Sequence, residues 1–447
     1  MAEPRDLSIR DALRLLRKGE LRTEELVLSC LKRIRSREQS VHAWVEVAEE
    51  KALIEARGCD DAFRAGTWKG ELHGIPIGVK DIIDVRGLWT RAGCSVYPAR
   101  IAEADAAAVR RLRDAGAVIL GKTETTAFAT NDPTITRNPW NTEHTPGGSS
   151  SGSGAAVADR MTLAALGTQT AGSVLRPAAY NGIVGFKATY ASVSLEGVVP
   201  ASWTLDHLGV LCRSVEDAAL LYAILREARP QPFARMPADP GGQEAGTPQP
   251  PFRLGYFRSF IEREADDSVR RHFESLLGQL RQAGALVVDV EFLDSLTRAA
   301  KAHSLIMDTE LAAYHRDLFA ARREAYPPNI AGRVVRGLAT PAHAYVEAVC
   351  QRMAFQGALS AVLADLDAVL LPTAPSAAPQ GLSSTGSPVF CVPWSMSGFP
   401  SITIPSGLDH QRLPLALEIG TGPFQEKKLL ALASWCESQL FFSSRPA

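Results

Sequence analysis

The stretch "TPGGSSSGSGAAVA" holds eight consecutive glycines and serines, Gly147 to Gly154. A second small-residue loop follows, "GTQTAGSVLRPAAYNGIVGFKAT", and carries Ser173. Upstream, the short apolar phrase "GIPIGVKD" ends on Lys80 and Asp81. These residue types suit nucleophilic chemistry: hydroxyls for attack and proton transfer, glycines for unusual torsions, and an amine that turns into a base once burial removes its charge. A serine hydroxyl is a weak nucleophile without a base, and none of the nine histidines lies in a recognisable triad context. Lysine serves only if its pKa falls from about 10.4 to near neutrality, and the apolar surroundings of Lys80 in "IPIGVKDIIDV" would do that. The plainer reading of Lys80 is a buried lysine paired with Asp81; the plainer reading of Ser173 is a helix cap.

Other uses of a Gly/Ser loop fit less well. A phosphate loop needs lysine after its last glycine, and Ser153 follows Gly152. The glycines at 147, 148, 152 and 154 miss the dinucleotide spacing. A flexible linker would not run straight into "AAVA" between two short elements of a compact core.

The surrounding elements read as α/β. Ser8 and Asp11 form a capping pair for a first helix, Thr23 caps a second, and "EVAEEKALIEARGCDDAFRAG" makes a third. Asp105 caps a helix stopped by Gly116 and followed by a buried strand; the phrase repeats from Asp266, with its stop at Gly284. Such alternation predicts a sheet that is at least partly parallel. Further strands are expected at 366–371, 400–404 and 415–419, and a helix over 425–438 near the C-terminus. The Pro/Gly-rich segment 229–253 reads as a surface excursion or a linker. Residues 293–355 form a variable helical block near the pocket. In domain terms, 1–70 are N-terminal helices packed on a core spanning 71–447.

Composition narrows the function. The chain has 447 residues, 46% of them hydrophobic, enough for a large core. Lys+Arg total 48 against Asp+Glu 49, so no basic excess points to nucleic acid. Seven scattered cysteines without a C-x-x-C pair suggest reduced thiols rather than a disulfide frame. No cysteine has a glutamate–lysine context in sequence, and no zinc-type ligand spacing occurs. With no apolar leader and no run of about 18 apolar residues, the expected setting is cytoplasmic, away from membranes.

The segments around Lys80, Ser149 and Ser173 together resemble the amidase signature family of serine hydrolases. The resemblance continues through "TLDHLGVLCRSVEDAALL", "LLPTAPSAAP" and "GFPSITIPSGL" to "LPLALEIG", covering the chain from about Leu72 onward. Ser173 follows Ser149 by 24 residues, the family's interval. The resemblance implies a single large α/β domain with a central twisted mixed sheet covered by helices on both faces. It implies Lys80 as ultimate base, Ser149 as the bridging serine behind a cis peptide, and Ser173 as nucleophile. The backbone N–H groups of Thr170, Ala171, Gly172 and Ser173 would form the oxyanion hole, with Gly148 and Ser150 helping at the substrate. The implied reaction is hydrolysis of a small carboxylic amide with neither metal nor organic cofactor.

Some positions depart from the family pattern. Ser151 and Gly154 exchange small residues for small ones, and Val210 replaces a proline. Arg176 stands three residues after Ser173, a placement closer to stand-alone bacterial amidases of the malonamidase-like type. It would either clamp a substrate carboxylate, making substrates small and acidic, or bond loop carbonyls or Asp206. Alternative readings are the glutaminase subunit of a tRNA-dependent amidotransferase, which needs partner subunits, a urea- or carbamate-type C–N hydrolase, and a silent scaffold on the same fold. A homodimer is the default oligomer.

Overall fold

The computed structural model describes residues 3–226 and 250–446. The first helix, Ile9–Lys18, starts on Ser8, whose Oγ accepts from the Asp11 amide at 3.0 Å. The second, Thr23–Val41, is capped differently from expectation. Asp60 supplies the cap, accepting from Thr23 N at 2.7 Å and Glu24 N at 3.1 Å. A carboxylate serves two orphan amides and favours the positive helix end, so it displaces the Thr23 hydroxyl.

The third helix is Glu49–Arg64, and the residues just before it depart from the helical reading. Trp44–Val47 is a strand, for "WVEV" is rich in aromatic and β-branched side chains and an open sheet edge lies beside it. Asp105 is also reassigned. The helix it was expected to cap is Ala107–Asp114, and Asp105 instead accepts from Arg86 N at 2.7 Å and pairs with Arg113 at 3.2 Å. In the repeat of that phrase the helix Asp267–Gln282 ends before Gly284 as expected, and Asp266 caps it through the Val269 amide at 2.8 Å, but the strand that follows, Leu286–Asp289, lies at the sheet edge and is not buried.

The strands in chain order are Trp44–Val47 (β1), Pro76–Lys80 (β2), Trp89–Thr90 (β3), Arg100–Ile101 (β4), Val118–Thr123 (β5), Ala164–Gln169 (β6), Val184–Lys187 (β7), His207–Cys212 (β8), Arg253–Tyr256 (β9), Leu286–Asp289 (β10), Ala368–Pro372 (β11), Ser401–Leu408 (β12) and Pro414–Gly420 (β13). β3 and β4 form a small ribbon; the other eleven make one sheet in the order β1-β5-β2-β6-β8-β7-β12-β13-β11-β9-β10. β2 runs parallel to β5 and β6, and β9 to β10 and β11; the remaining pairings are antiparallel. The chain is thus a single large α/β domain around a mixed sheet flanked by helices. Of the expected excursion, residues 229–249 lie outside the described residues, and Arg253 opens β9.

This topology positions the chemistry. β2, β5 and β6 end at the same sheet edge, with Lys80 opposite Thr123 and Gln169 opposite His207 at the start of β8. The carboxyl edge of such a sheet is where ligands bind in open α/β folds. The helical block comprises Leu293–Arg322, Pro328–Leu338 and Ala342–Ala364.

Candidate active site

Lys80 closes β2 and is wholly buried. Its Nζ lies 2.7 Å from Ser149 Oγ and 2.9 Å from Thr168 Oγ1. Alternation along the strand puts Asp81 on the opposite face, the face of Lys122, whose register partner is Val79. There Asp81 forms a buried ion pair with Lys122 at 3.0 Å. The pairing of Lys80 with Asp81 is therefore not made. Among the described residues no carboxylate is in ion-pair contact with Lys80. Burial drives its pKa well below the ordinary ammonium range; the Asp206 charge opposes that fall and Arg176 adds to it.

Ser149 follows a cis peptide from Gly148 and is wholly buried. The helix behind it, Ser151–Ala158, is buried at all eight residues. Small side chains let it lie flat against the sheet. Ser153 Oγ donates to Leu166 O at 2.9 Å and meets Thr123 Oγ1 at 2.8 Å, while Ser151 Oγ donates to Gly147 O at 2.7 Å. The glycines act mostly through space rather than torsion. Only Gly147 takes a left-handed backbone, at φ 78°. A Cβ on Gly152 would sit 2.2 Å from Ala43 O and 2.4 Å from Glu124 N, and one on Gly148 would sit 2.8 Å from Thr385 Cγ2. Ser150 is buried within reach of Thr168, whose amide donates to its Oγ at 3.3 Å.

Ser173 stands on the loop after β6 and keeps 8% of its surface exposed. The loop is joined to the Ser149 segment by Ser150 N donating to Ser173 O at 3.3 Å. All four carbonyls from 170 to 173 are held by protein partners. Thr170 O accepts from His303 Nε2 at 2.9 Å and Ala171 O from Ser395 Oγ at 2.7 Å. Gly172 O accepts from Arg176 N at 2.9 Å. Burial lowers the His303 pKa to about 4, so the ring is neutral and its Nε2 carries the proton that a carbonyl acceptor requires. Downstream, Gln169 Oε1 takes the amides of Val174 at 2.9 Å and Leu175 at 3.0 Å, the first turn of the helix Leu175–Asn181.

Arg176 is almost fully buried and faces loop carbonyls. Its Nη2 donates to Gly148 O at 2.6 Å and Thr385 Oγ1 at 3.1 Å, and its Nη1 to Gly386 O at 2.6 Å. Of the alternatives raised by its position, this is the loop-carbonyl one. Asp206 is engaged elsewhere, accepting from Thr170 Oγ1 at 2.5 Å, Ala201 N at 2.8 Å and Ser202 N at 3.0 Å. Burial raises its pKa to about 6.

Five residues at or beside the site have no part in the sequence reading: Thr168, Gln169, His303, Ser395 and Glu310, which accepts from Ser202 Oγ at 2.6 Å beside the Asp206 turn. Thr168 and Gln169 lie inside the quoted "GTQT", where proximity to Ser173 was a usable signal. The other three come from distant helices or their flanks and carry no local mark.

One cysteine does acquire a glutamate and a lysine in space. Cys391 lies beside Glu418 and Lys187, which corrects the reading from sequence neighbours. Its thiol is wholly buried, pushed well above its ordinary pKa by burial, and donates to Thr373 O at 3.4 Å. A thiol held protonated is a poor nucleophile.

Comparison with known proteins agrees with this architecture. The family model described as Amidase matches residues 25–430. A glutamyl-tRNA(Gln) amidotransferase subunit from Halothermothrix orenii is 32% identical, over 97% of this chain and 97% of that protein. Its counterpart from Myxococcus xanthus is 32% identical over 99% of each. Among solved structures, an amidase is 32% identical with TM-score 0.87, covering 97% of this chain and 100% of that one. The peptide amidase of Stenotrophomonas maltophilia is 28% identical with TM-score 0.79, covering 98% of both chains. The chain therefore belongs to the amidase family, the amidase signature group of C–N hydrolases.

Proposed function

We propose that this chain hydrolyses a small carboxylic amide through an acyl-enzyme on Ser173. The observation that carries the reading is a fully buried lysine that contacts two hydroxyls and, among the described residues, no carboxylate, with Nζ 2.7 Å from Ser149 Oγ. An uncharged amine there can draw the Ser173 proton by way of Ser149, since one hydroxyl both donates and accepts. Ser173 Oγ attacks the carbonyl carbon, and the proton delivered to Lys80 returns to the departing nitrogen. Water then attacks the ester by the same relay, and the acid leaves.

The oxyanion hole is assigned to the amides of Thr170, Ala171, Gly172 and Ser173. The tethering of the carbonyls of 170, 171 and 172 supports this for Ala171, Gly172 and Ser173, because each pinned C=O turns the next residue's N–H to the opposite side of the loop. Such donors typically contribute about 2.7–4 kcal/mol to acyl transfer. Gly148 and Ser150 are assigned to the substrate side of the relay loop. Arg176 is a positioning residue that holds Gly148 O rather than a carboxylate clamp. A fluorophosphonate probe, with Ser173→Ala as control, tests the nucleophile; label on any other residue would sink the assignment.

A second reading is the glutaminase subunit of an amidotransferase. It is favoured by near full-length likeness to amidotransferase subunits at 30–32% identity. Glutamine hydrolysis by the isolated chain, compared with other amides, and co-purification of partner subunits decide between the two.

A further inference from the structure

Gln169 closes β6 and is wholly buried, four residues before the nucleophile. The two ends of its side chain hold opposite sides of the loop that carries Ser173. Oε1 accepts from Val174 N at 2.9 Å and Leu175 N at 3.0 Å. Nε2 donates to Ser395 Oγ at 3.2 Å, and Ser395 Oγ donates to Ala171 O at 2.7 Å. The count of donors fixes these directions. An amide oxygen that takes two backbone N–H groups leaves its nitrogen for the other side, and a hydroxyl that accepts from that nitrogen spends its one hydrogen on the carbonyl.

This bridge leaves the loop one residue after Ser173 and returns two residues before it. Gly172 and Ser173 therefore sit inside a closed ring. Every bond in the ring runs the same way, from the first helical amides to the Ala171 carbonyl, and bonds aligned in a chain polarise one another. Gly172 has no slack there: a Cβ on it would lie 2.8 Å from Pro388 Cβ and 3.1 Å from Cys391 Cβ.

Each end of the bridge governs a different part of the chemistry. A carbonyl held on one side of the loop turns the following N–H to the other, so Ser395 sets the direction of the Gly172 amide. The Oε1 end satisfies orphan amides at the start of the helix Leu175–Asn181 and so fixes where Ser173 leaves the loop. Both side chains are wholly buried, so their effect on a substrate passes through the backbone they hold.

We propose that Gln169 and Ser395 are positioning residues for acyl transfer, holding the Gly172 amide toward the oxyanion and Ser173 toward its relay. The inference rests on the amidase reading and adds to it a support that the reacting groups require.

The test follows the fluorophosphonate reaction, in which Ser173 Oγ bonds to phosphorus, fluoride leaves and the hydroxyl proton passes to Lys80. The maximal labelling rate reads the attack, the half-saturating concentration reads probe binding, and the pH limb of the rate reads Lys80. Ser395→Ala frees Ala171 O and should lower the maximal rate by at least about tenfold, since loss of an oxyanion donor itself costs about 10²–10³-fold. Half-saturation should stay within about threefold, because the interaction lost acts in the transition state. The pH limb should not move, because the group removed is uncharged. Gln169→Met breaks both ends of the bridge and should slow labelling at least as much. Adding Ser395→Ala to it should cost no more than about threefold further, since one bridge breaks only once. A smaller fall for Ser395→Ala, a loss carried by half-saturation, a displaced pH limb, or losses that multiply in the double variant would overturn the inference. Should Gln169→Met fail to fold, the three readouts on Ser395→Ala decide alone. The unsubstituted chain separates the two levels. If it never labels at Ser173, the amidase reading falls; if it labels there and any of those results appears, only the positioning roles fall.

Discussion

Two wholly buried lysines stand on adjacent strands, and the same substitution should affect them in opposite ways. Lys122 on β5 is in a 3.0 Å ion pair with Asp81, and its Nζ also donates to Trp89 O at 2.9 Å. Lys122→Met would strand a buried carboxylate, which typically costs about 3–5 kcal/mol. Lys80 on β2 has two hydroxyl partners and no counter-ion among the described residues. Lys80→Met loses two hydrogen bonds of about 0.5–1.5 kcal/mol each. It also removes a group that resists burial and inserts a flexible side chain of similar length. The expected net change is within about 1 kcal/mol. Activity should follow the reverse order. Lys80→Met removes the base and should lower kcat by at least about 10²–10⁴-fold, whereas Lys122→Met should act mainly through stability. Urea unfolding midpoints beside amide turnover at a fixed folded fraction read both effects. If Lys80→Met shifts the midpoint as far as Lys122→Met, Lys80 is a charged structural group and the neutral-base argument is wrong.

Other outcomes follow from the same geometry. Ser149→Ala should cost several orders of magnitude in kcat while the protein still folds; retention of most activity would remove Ser149 from the relay. Activity should rise with pH along a limb set by the loss of the Lys80 proton. Asp206, ionised above about pH 6, holds that proton in place, so Asp206→Asn should move the limb to lower pH. A limb that stays put or moves to higher pH contradicts the charge assignment. Arg176→Met gives up three bonds, two of them fully buried and two of them to backbone carbonyls. With charged-group bonds worth about 1.5–3 kcal/mol each, it should lower stability by at least about 3 kcal/mol. It should also reduce kcat more than it raises KM for a neutral amide, and a purely KM effect would return Arg176 to the substrate.

Legibility in the sequence tracked how local the determining physics was. The Ser8 cap is a contact three residues long, and it forms as expected. The caps assigned to Thr23 and Asp105 fail because partners outside the local window, Asp60 and Arg86, win the competition. Glu46 and Val47 are absorbed into a helical pattern because the open edge of β5 that recruits them is invisible in a window of that size. At the site, the lysine and the two serines are marked by the resemblance to the amidase signature family, whereas residue type alone leaves Lys80 as a paired lysine and Ser173 as a helix cap. The burial of Lys80 also follows from its apolar neighbours, whereas the diversion of Asp81 to Lys122 depends on strand register. His303, Ser395 and Glu310 reach the site across more than 100 residues of chain, so only the fold reveals them.

The helix Ser151–Ala158 owes its position to atoms it lacks. Adding one methyl to Gly152 meets backbone at 2.2 Å, and one on Gly154 meets Asn181 Nδ2 at 2.9 Å. Enlargement has no rotamer by which to escape the first collision. A mutagenesis library meant to redirect this enzyme should therefore leave that segment untouched and draw its diversity from the crossover between β7 and β8. There Trp203 stands 50% exposed, so its bulk can change without a collision in the core.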